Sequence, residues 1–265
     1  MAEPVLLAVR DVRKAFGGVT AVAGVSFRLR QGEVRALIGP NGAGKTTLFN
    51  VLTGQLRPDA GTVLFREEAI QGAPPARIWR RGVSRTFQVP ATFQSFSVLE
   101  NVQAALLSWR GLAWRFLTQA SAIGRAEALG LLEEVGLDGQ ASRPSRVLPV
   151  ADLKRLELAV ALANAPTLLL LDEPTAGMGR AERSGLMTLV GRLVRERGLT
   201  VLFTEHDMDV VFEYADRIMV LHQGRLIAEG TPEAIRQDRE VQAVYLGGAG
   251  CKLSKAGTPG HDRGT

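Results

Sequence analysis

The sequence predicts an α/β fold with a helical insertion at about residues 90–165. Three observations lead to this prediction. A short apolar strand at 34–38 runs directly into a glycine-rich loop and then into a helix. A continuous apolar stretch at 168–171 is typical of a central parallel strand, and two acidic residues follow it. From about residue 90, the alternation of strands and helices gives way to helical segments.

Glycine and proline mark the ends of the elements before the insertion. Gly54 follows the first predicted helix, and the segment 57–61, Arg-Pro-Asp-Ala-Gly, predicts a turn. In the second strand the residues at 19, 21, 23 and 25 are Val, Ala, Ala and Val, which predicts one apolar face. Strands are expected at 4–9, 19–30, 34–38 and 62–65, and a helix at 45–53.

The elements after residue 90 follow from the same patterns. In the helix expected at 180–197, five apolar residues recur at helical spacing, so one face of that helix should be buried. Gln223-Gly224 predicts a hairpin between the last two strands. The predicted helices are 98–109, 114–122, 124–135 and 180–197, and the predicted strands are 167–171, 200–204, 217–221 and 225–228.

The composition fits one domain with a substantial core. Of 265 residues, 46% are hydrophobic and 22% are charged, which excludes global disorder. The net charge of +5 comes from 32 basic and 27 acidic residues without a long basic run, so no nucleic-acid partner is expected. No stretch is long enough for a membrane span, no signal peptide is expected, and the single cysteine, Cys251, fits a reducing compartment. We expect a soluble cytoplasmic protein with one domain at 4–247 and a disordered tail at 248–265.

The loop after the strand at 34–38 has the spacing of a phosphate-binding loop, in which two glycines are separated by four residues and followed by Lys-Thr. Glycines let successive N–H groups face an anion, and the positive end of the next helix points at the same phosphates. Lys45 can bridge the β- and γ-phosphates, and the Thr46 hydroxyl can bind Mg²⁺. The alternative is a glycine-rich turn that happens to precede a helix. The residues predicted to bind nucleotide are Gly39, Pro40, Asn41, Gly42, Ala43, Gly44, Lys45, Thr46 and Thr47.

Polar residues follow two of the apolar strands. Asp172 and Glu173 come after one strand and His206 after another, and ligands collect at the carboxyl ends of parallel strands. Asp172 can hold Mg²⁺ through water, Glu173 can polarise the attacking water, and His206 can reach the γ-phosphate or orient Glu173. Alternatively, the acids form a charged strand end that enters solvent, and His206 is structural.

Together these residues resemble the nucleotide-binding subunit of ATP-binding cassette (ABC) transporters, from about Leu6 to Gly247. The resemblance implies an α/β P-loop NTPase core of the ABC type with an antiparallel β subdomain and an inserted helical subdomain. It also implies that Phe16, which by itself could equally be a core residue, stacks on adenine. Gln88 is implied to contact Mg²⁺ and take part in catalysis, with ATP and Mg²⁺ as the cofactors. For Asp172, Glu173 and His206 it implies the roles of metal-holding acid, general base and switch histidine.

Within the superfamily the chain looks most like the subunits that energise branched-chain amino-acid import. The segments that carry this likeness are 172–178, 205–208 and 243–247. It implies transmembrane permeases as partners, a second ATPase subunit, an indirect link to a periplasmic solute-binding protein, and a peripheral location at the cytoplasmic face of the inner membrane. The alternatives are an ATPase of a urea or amide importer, of a lipopolysaccharide exporter, or of a non-transport system, and a nucleotide-binding regulator that does not hydrolyse ATP.

Two segments depart from the family pattern. The signature, usually Leu-Ser-Gly-Gly-Gln, aligns with Leu148-Pro149-Val150-Ala151-Asp152, and Pro149 offers neither hydroxyl nor N–H to a phosphate. Gly179 stands where the D-loop usually has Asp or Asn. We therefore expect an asymmetric heterodimer, in which the site on this chain's Lys45 hydrolyses ATP. A homodimer is possible if the altered signature works through its helix dipole and remaining amides.

The apolar segment 109–120 contains Trp114 and Phe116 together with two arginines. Two interpretations are open for it. It packs inside the helical part of the chain, or it contacts a transmembrane subunit or the bilayer surface.

Overall fold

The computed structural model describes residues 4–86, 92–112 and 124–246, and these form two sheets with helices around them. The first sheet is antiparallel, with the order β2-β1-β4-β5. The second has the order β10-β9-β3-β8-β7-β6, in which β10 is antiparallel to β9 and the other neighbours are parallel. The strands are β1 (Val5–Phe16), β2 (Val19–Arg30), β3 (Val34–Ile38), β4 (Ala60–Phe65), β5 (Glu68–Ala69), β6 (Val83–Arg85), β7 (Leu168–Asp172), β8 (Thr200–Thr204), β9 (Arg217–His222) and β10 (Arg225–Gly230).

The helices fall into two groups along the chain. Within the described residues, three helices lie between β6 and β7, where the helical insertion was expected, and they pack against one another. The expected helix at 114–122 lies outside the described residues, as does the tail. The helices are α1 (Lys45–Leu52), α2 (Pro75–Arg80), α3 (Val98–Trp109), α4 (Arg125–Glu134), α5 (Val150–Leu162), α6 (Arg180–Arg197), α7 (Met208–Tyr214), α8 (Pro232–Gln237) and α9 (Arg239–Leu246).

The apolar run in β7 is explained by two cores that meet on opposite faces of the second sheet. Leu168 and Leu170 belong to a core between the two sheets, together with α1. Leu169 and Leu171 belong to a core on the other face, where the helices pack. Because both faces of this strand are covered, every position along it is buried, as expected for a central parallel strand.

Two predictions about the first sheet are wrong, the second of them only in part. Strand β1 extends to Phe16 instead of ending at residue 9, because its pairing with β2 continues through several register shifts. The face predicted for β2 is wrong at the start of the strand, where Val19 is 70% exposed and Val22 is buried, but it holds at Val25, from which the burial alternates through Phe27 and Leu29. The shifts move side chains from one face to the other, and Gly24, with φ +82°, lies within the irregular part.

Candidate functional site

The glycine-rich loop connects β3 to α1 and lies against two other strands. A Cβ atom on Gly39 would lie 2.1 Å from the carbonyl oxygen of Leu221 in β9. A Cβ atom on Gly44, whose φ is +105°, would lie 2.2 Å from the carbonyl oxygen of Ala21 in β2. These two glycines therefore allow the loop to approach the backbone of both neighbouring strands, which fixes its position.

Lys45 is the first residue of α1, and its side chain turns back over the loop. Its Nζ donates hydrogen bonds to the carbonyl oxygens of Gly39, at 2.5 Å, and Pro40, at 3.1 Å. Burial lowers the pKa of Lys45, while the nearby carboxylates of Glu173 and Asp172 act in the opposite direction and raise it. The fold thus brings the loop lysine and both predicted acids into one electrostatic environment.

Asp172 ends β7 and is buried, with 5% of its surface exposed. Its Oδ1 accepts a hydrogen bond of 2.7 Å from the Thr204 hydroxyl, and its Oδ2 accepts one of 2.8 Å from Nη2 of Arg85. Thr204 is the register partner of Asp172 on β8, and Arg85 ends β6. The alternative of a charged strand end that enters solvent is therefore excluded for Asp172.

Glu173 leaves the line of β7 and faces His206. Its backbone has a φ of +49°, and its N–H donates to the carbonyl and hydroxyl oxygens of Thr204, both at 3.1 Å. Its Oε1 lies 2.8 Å from Nε2 of His206. A left-handed backbone at a residue other than glycine costs about 1–3 kcal/mol and is concentrated at functional sites. The turn at Glu173 therefore brings together the two side chains that the sequence placed at separate strand ends.

Glu205 anchors the segments that follow β7 and β8, a role the sequence analysis did not assign. Its Oε1 accepts hydrogen bonds from the backbone N–H of Thr175, at 2.9 Å, and from the Thr175 hydroxyl, at 2.6 Å. Its Oε2 accepts one from the N–H of His206, at 3.1 Å. Arg85 and Thr204 were missed as well. The available signal was a polar residue at the carboxyl end of each buried strand.

The other predicted site residues have varied surroundings. Phe16 ends β1, is 46% exposed and has Nζ of Lys14 at 5.4 Å from its ring centroid, so it is not a core residue. Thr46 is exposed and Thr47 half-buried in the first turn of α1. Gln88, Trp114 and Phe116 lie outside the described residues.

The altered signature forms the start of α5. Pro149 is the N-cap of this helix and supplies no side-chain hydrogen bond, and the adjacent Val150 is 49% exposed. Asp152 occupies the first turn, where its Oδ2 accepts a 2.8 Å hydrogen bond from Nε2 of Gln140. An acidic side chain near the positive end of a helix partly neutralises that end for an incoming anion.

Within the residues that the structure describes, none of the helices combines the length and apolarity needed to cross a membrane.

Comparisons with known proteins show the family of this chain. Residues 22–176 match the ABC transporter family, and residues 225–250 match the branched-chain amino acid ATP-binding cassette transporter family. The high-affinity branched-chain amino acid transport ATP-binding protein LivG of Salmonella typhimurium is 42% identical over 257 residues, with 94% of this chain and 100% of LivG covered. The corresponding protein BraF of Pseudomonas aeruginosa is 41% identical over 256 residues, with the same coverage.

Among solved structures, the ADP conformation of the ABC transporter cassette MJ1267 superposes with a TM-score of 0.83. It is 31% identical, and the match covers 92% of this chain and 99% of that one. This likeness confirms the predicted fold class. From its sequence relatives and its fold, the chain belongs to the ATP-binding proteins of the ABC transporter family, in the branched-chain amino acid group that includes LivG and BraF.

Proposed function

We propose that this chain is the subunit that hydrolyses ATP to drive import of branched-chain or related amino acids across a membrane. The observation that carries the chemistry is that Asp172, Glu173 and His206 meet where β7 and β8 end, beside the loop that follows the parallel neighbour β3 and leads to Lys45. The transported substrate is inferred from the branched-chain amino acid transport proteins that this chain resembles over 94% of its length.

The loop at 39–47 is proposed to bind the phosphates of ATP. Its backbone N–H groups and the positive end of α1 attract the phosphate oxygens, and Lys45 supplies a full charge. The two carbonyl oxygens that Lys45 now contacts would be exchanged for phosphate oxygens on binding. Phe16, exposed at the end of β1, is proposed to stack on adenine.

The residues present fit a magnesium ion. The exposed hydroxyl of Thr46 and the carboxylate of Asp172 are oxygen ligands of the kind that Mg²⁺ prefers. Both oxygens of Asp172 already accept hydrogen bonds, which favours a contact through water over a direct one. When bound, Mg²⁺ neutralises charge on the β- and γ-phosphate oxygens. Gln88 is proposed as a further ligand on the resemblance alone.

Glu173 is proposed as the general base that takes a proton from the attacking water. Its carboxylate is held by His206 and its backbone by Thr204, so that its position is defined before substrate arrives. His206, which is about half exposed at its side chain, is proposed to orient Glu173 and to contact the γ-phosphate.

We further propose that residues 4–247 form one ATPase domain with a helical arm at about 90–165, working beside a second ATPase subunit and membrane permeases. Closure of the two ATPase subunits on ATP would move the permeases, which exchange substrate with a periplasmic solute-binding protein. This arrangement puts the chain at the cytoplasmic face of the membrane.

The complete transporter tests this function. Reconstituted in liposomes with its permeases and second ATPase subunit, it should hydrolyse ATP faster when a solute-binding protein loaded with leucine, isoleucine or valine is present. The transporter should also accumulate the same amino acid. Stimulation by urea or by lipopolysaccharide, with none by these amino acids, would contradict the proposed substrate class.

The signature predicts unequal sites in the pair of ATPase subunits. Pro149 and the exposed Val150 offer few hydrogen-bond donors to the γ-phosphate held by the partner subunit. The ATP site formed by the partner's phosphate-binding loop and this signature should therefore hydrolyse ATP slowly. In a Glu173→Gln background, restoring Ser and Gly at positions 149 and 150 should raise the residual ATPase rate. Val147→Ala, also at an exposed apolar position next to α5, is the matched control. An unchanged rate in the restored variant would show that the original signature does not limit turnover.

A further inference from the structure

Arg85 joins three elements of the site through one buried guanidinium group. It is the last residue of β6, and its side chain is 5% exposed. Its Nη2 donates to Oδ2 of Asp172 in β7, at 2.8 Å, and its Nη1 donates to Oδ1 of Asn50 in α1, at 2.6 Å. Its Cζ lies 5.5 Å from the ring centroid of Phe49, also in α1. The arginine therefore links the acid at the end of β7 to the helix that follows the phosphate-binding loop.

The ion pair with Asp172 is better suited to fixing geometry than to adding stability. Desolvation of two buried charges offsets much of their attraction, so such pairs contribute little net free energy of folding. A planar guanidinium, by contrast, holds its acceptors in a fixed arrangement. With Thr204 bound to Oδ1 and Arg85 to Oδ2, rotation of the Asp172 carboxylate would break at least one of two hydrogen bonds.

We propose that Arg85 is a positioning residue for ATP hydrolysis, which holds the Asp172 carboxylate at a set distance and angle from α1 and the loop at 39–47. The proposal rests on the function given above, in which Asp172 holds Mg²⁺. Without Arg85, the Asp172 carboxylate loses its cationic partner and one of its two hydrogen bonds, so it can turn about the remaining contact with Thr204. Lys45 keeps its own contacts with the loop, so the loss of Arg85 should affect the metal contact of Asp172 and not the phosphate contacts of the loop.

The test is the Mg²⁺ dependence of nucleotide binding in Arg85→Met. Affinity for a fluorescent ATP analogue is measured in EDTA and again with Mg²⁺. Affinity in EDTA should stay within about threefold of wild type, because the loop is intact. The gain in affinity on adding Mg²⁺ should be about 10- to 100-fold smaller than in wild type. That range corresponds to loss of one charge-assisted hydrogen bond at 1.5–3 kcal/mol. In the assembled transporter, kcat should fall with little change in KM for ATP.

A second buried pair provides the matched control. Arg35 is 3% exposed and pairs with Glu33 and Glu229, and no described contact joins it to Asp172. Arg35→Met should therefore lower the melting temperature but leave the gain in affinity with Mg²⁺ unchanged. Arg85→Lys should recover part of that gain, since it keeps the charge. Asn50→Ala keeps the ion pair between Arg85 and Asp172 but should lower the Mg²⁺-dependent gain in affinity several-fold. This variant tests the proposal even if the Arg85 variants do not fold.

The proposal would be overturned if Arg85→Met behaved like Arg35→Met, that is, if both variants were less stable but kept the wild-type Mg²⁺ dependence of nucleotide binding. The proposal would also be overturned if the two single variants Asn50→Ala and Arg85→Lys both showed the same Mg²⁺-dependent gain in nucleotide affinity as wild type. The wild-type protein distinguishes this failure from failure of the proposed function. If wild type itself shows no Mg²⁺-dependent ATP hydrolysis in the assembled transporter, the proposed function is contradicted and not only the role of Arg85.

Discussion

Replacing Glu173 by glutamine is expected to lower the ATPase rate of the assembled transporter by about 10²- to 10⁴-fold, the usual contribution of a positioned general base. Glutamine keeps the size and one oxygen of the side chain, so contact with His206 can persist at the observed 2.8 Å. What is lost is the ability to take up a proton from water. ATP affinity should stay within about threefold of wild type, because the interaction removed is made mainly in the transition state. ATPase assays and equilibrium ATP binding measure the two effects.

Glu196→Gln is the matched control for that substitution. Glu196 is an exposed residue of α6, and its ion pair with Arg192 spans 3.9 Å, so the change should leave the ATPase rate unaltered. The equivalent change in the partner subunit should have a smaller effect than Glu173→Gln. A larger effect in the partner would mean that the asymmetry between the two sites is assigned the wrong way round.

The second large effect is expected for Gly44→Ala at the start of α1. A left-handed backbone costs about 1–2 kcal/mol for alanine, and the new Cβ would also lie 2.2 Å from the Ala21 carbonyl oxygen. That neighbour is backbone, so no side chain can rotate to make room. We expect a loss of at least about 2 kcal/mol of unfolding free energy, or roughly 4–8 °C in Tm, together with weak ATP binding. Thermal unfolding and ATP titration measure both effects.

Gly130→Ala separates this local effect from a general one. Gly130 lies within α4, and a Cβ there would meet no atom within 4 Å. Alanine is favoured over glycine inside a helix by about 1 kcal/mol, so this variant should be slightly more stable and should bind ATP normally. Normal stability and ATP binding in Gly44→Ala would show that the loop can shift away from β2, and would contradict the fixed position inferred for it.

Local patterns were sufficient to predict the main parts of the fold and that polar residues at the ends of two strands lie together. The strand, loop and helix around Lys45 have a short-range signature, and the continuous apolar run of β7 indicated a strand covered on both faces. Because parallel strands place their carboxyl ends at one edge, the acids after β7 and His206 after β8 were expected to be neighbours. The 2.8 Å contact between Glu173 and His206 agrees with that expectation.

Other features depend on contacts between distant residues, which local patterns do not encode. The ion pair between Arg85 and Asp172 joins residues 87 positions apart, and it exists because β6 happens to be the neighbour of β7. The change of buried face within β2, between Val22 and Val25, depends on the register shifts against β1, which the alternation within one strand does not reveal. The need for glycine at position 44 arises from the approach of Ala21, a residue of another sheet.

The central claim is that the loop at 39–47, Asp172 and Glu173 together surround the terminal phosphate of ATP. A crystal structure of the Glu173→Gln protein with ATP and Mg²⁺ tests it most directly. The account predicts the phosphates along the loop amides with Nζ of Lys45 bound to them, the metal between Thr46 and Asp172, and the side chain of residue 173 facing the γ-phosphate. Nucleotide bound at another place, or bound here with both strand-end side chains turned away from the γ-phosphate, would contradict the account.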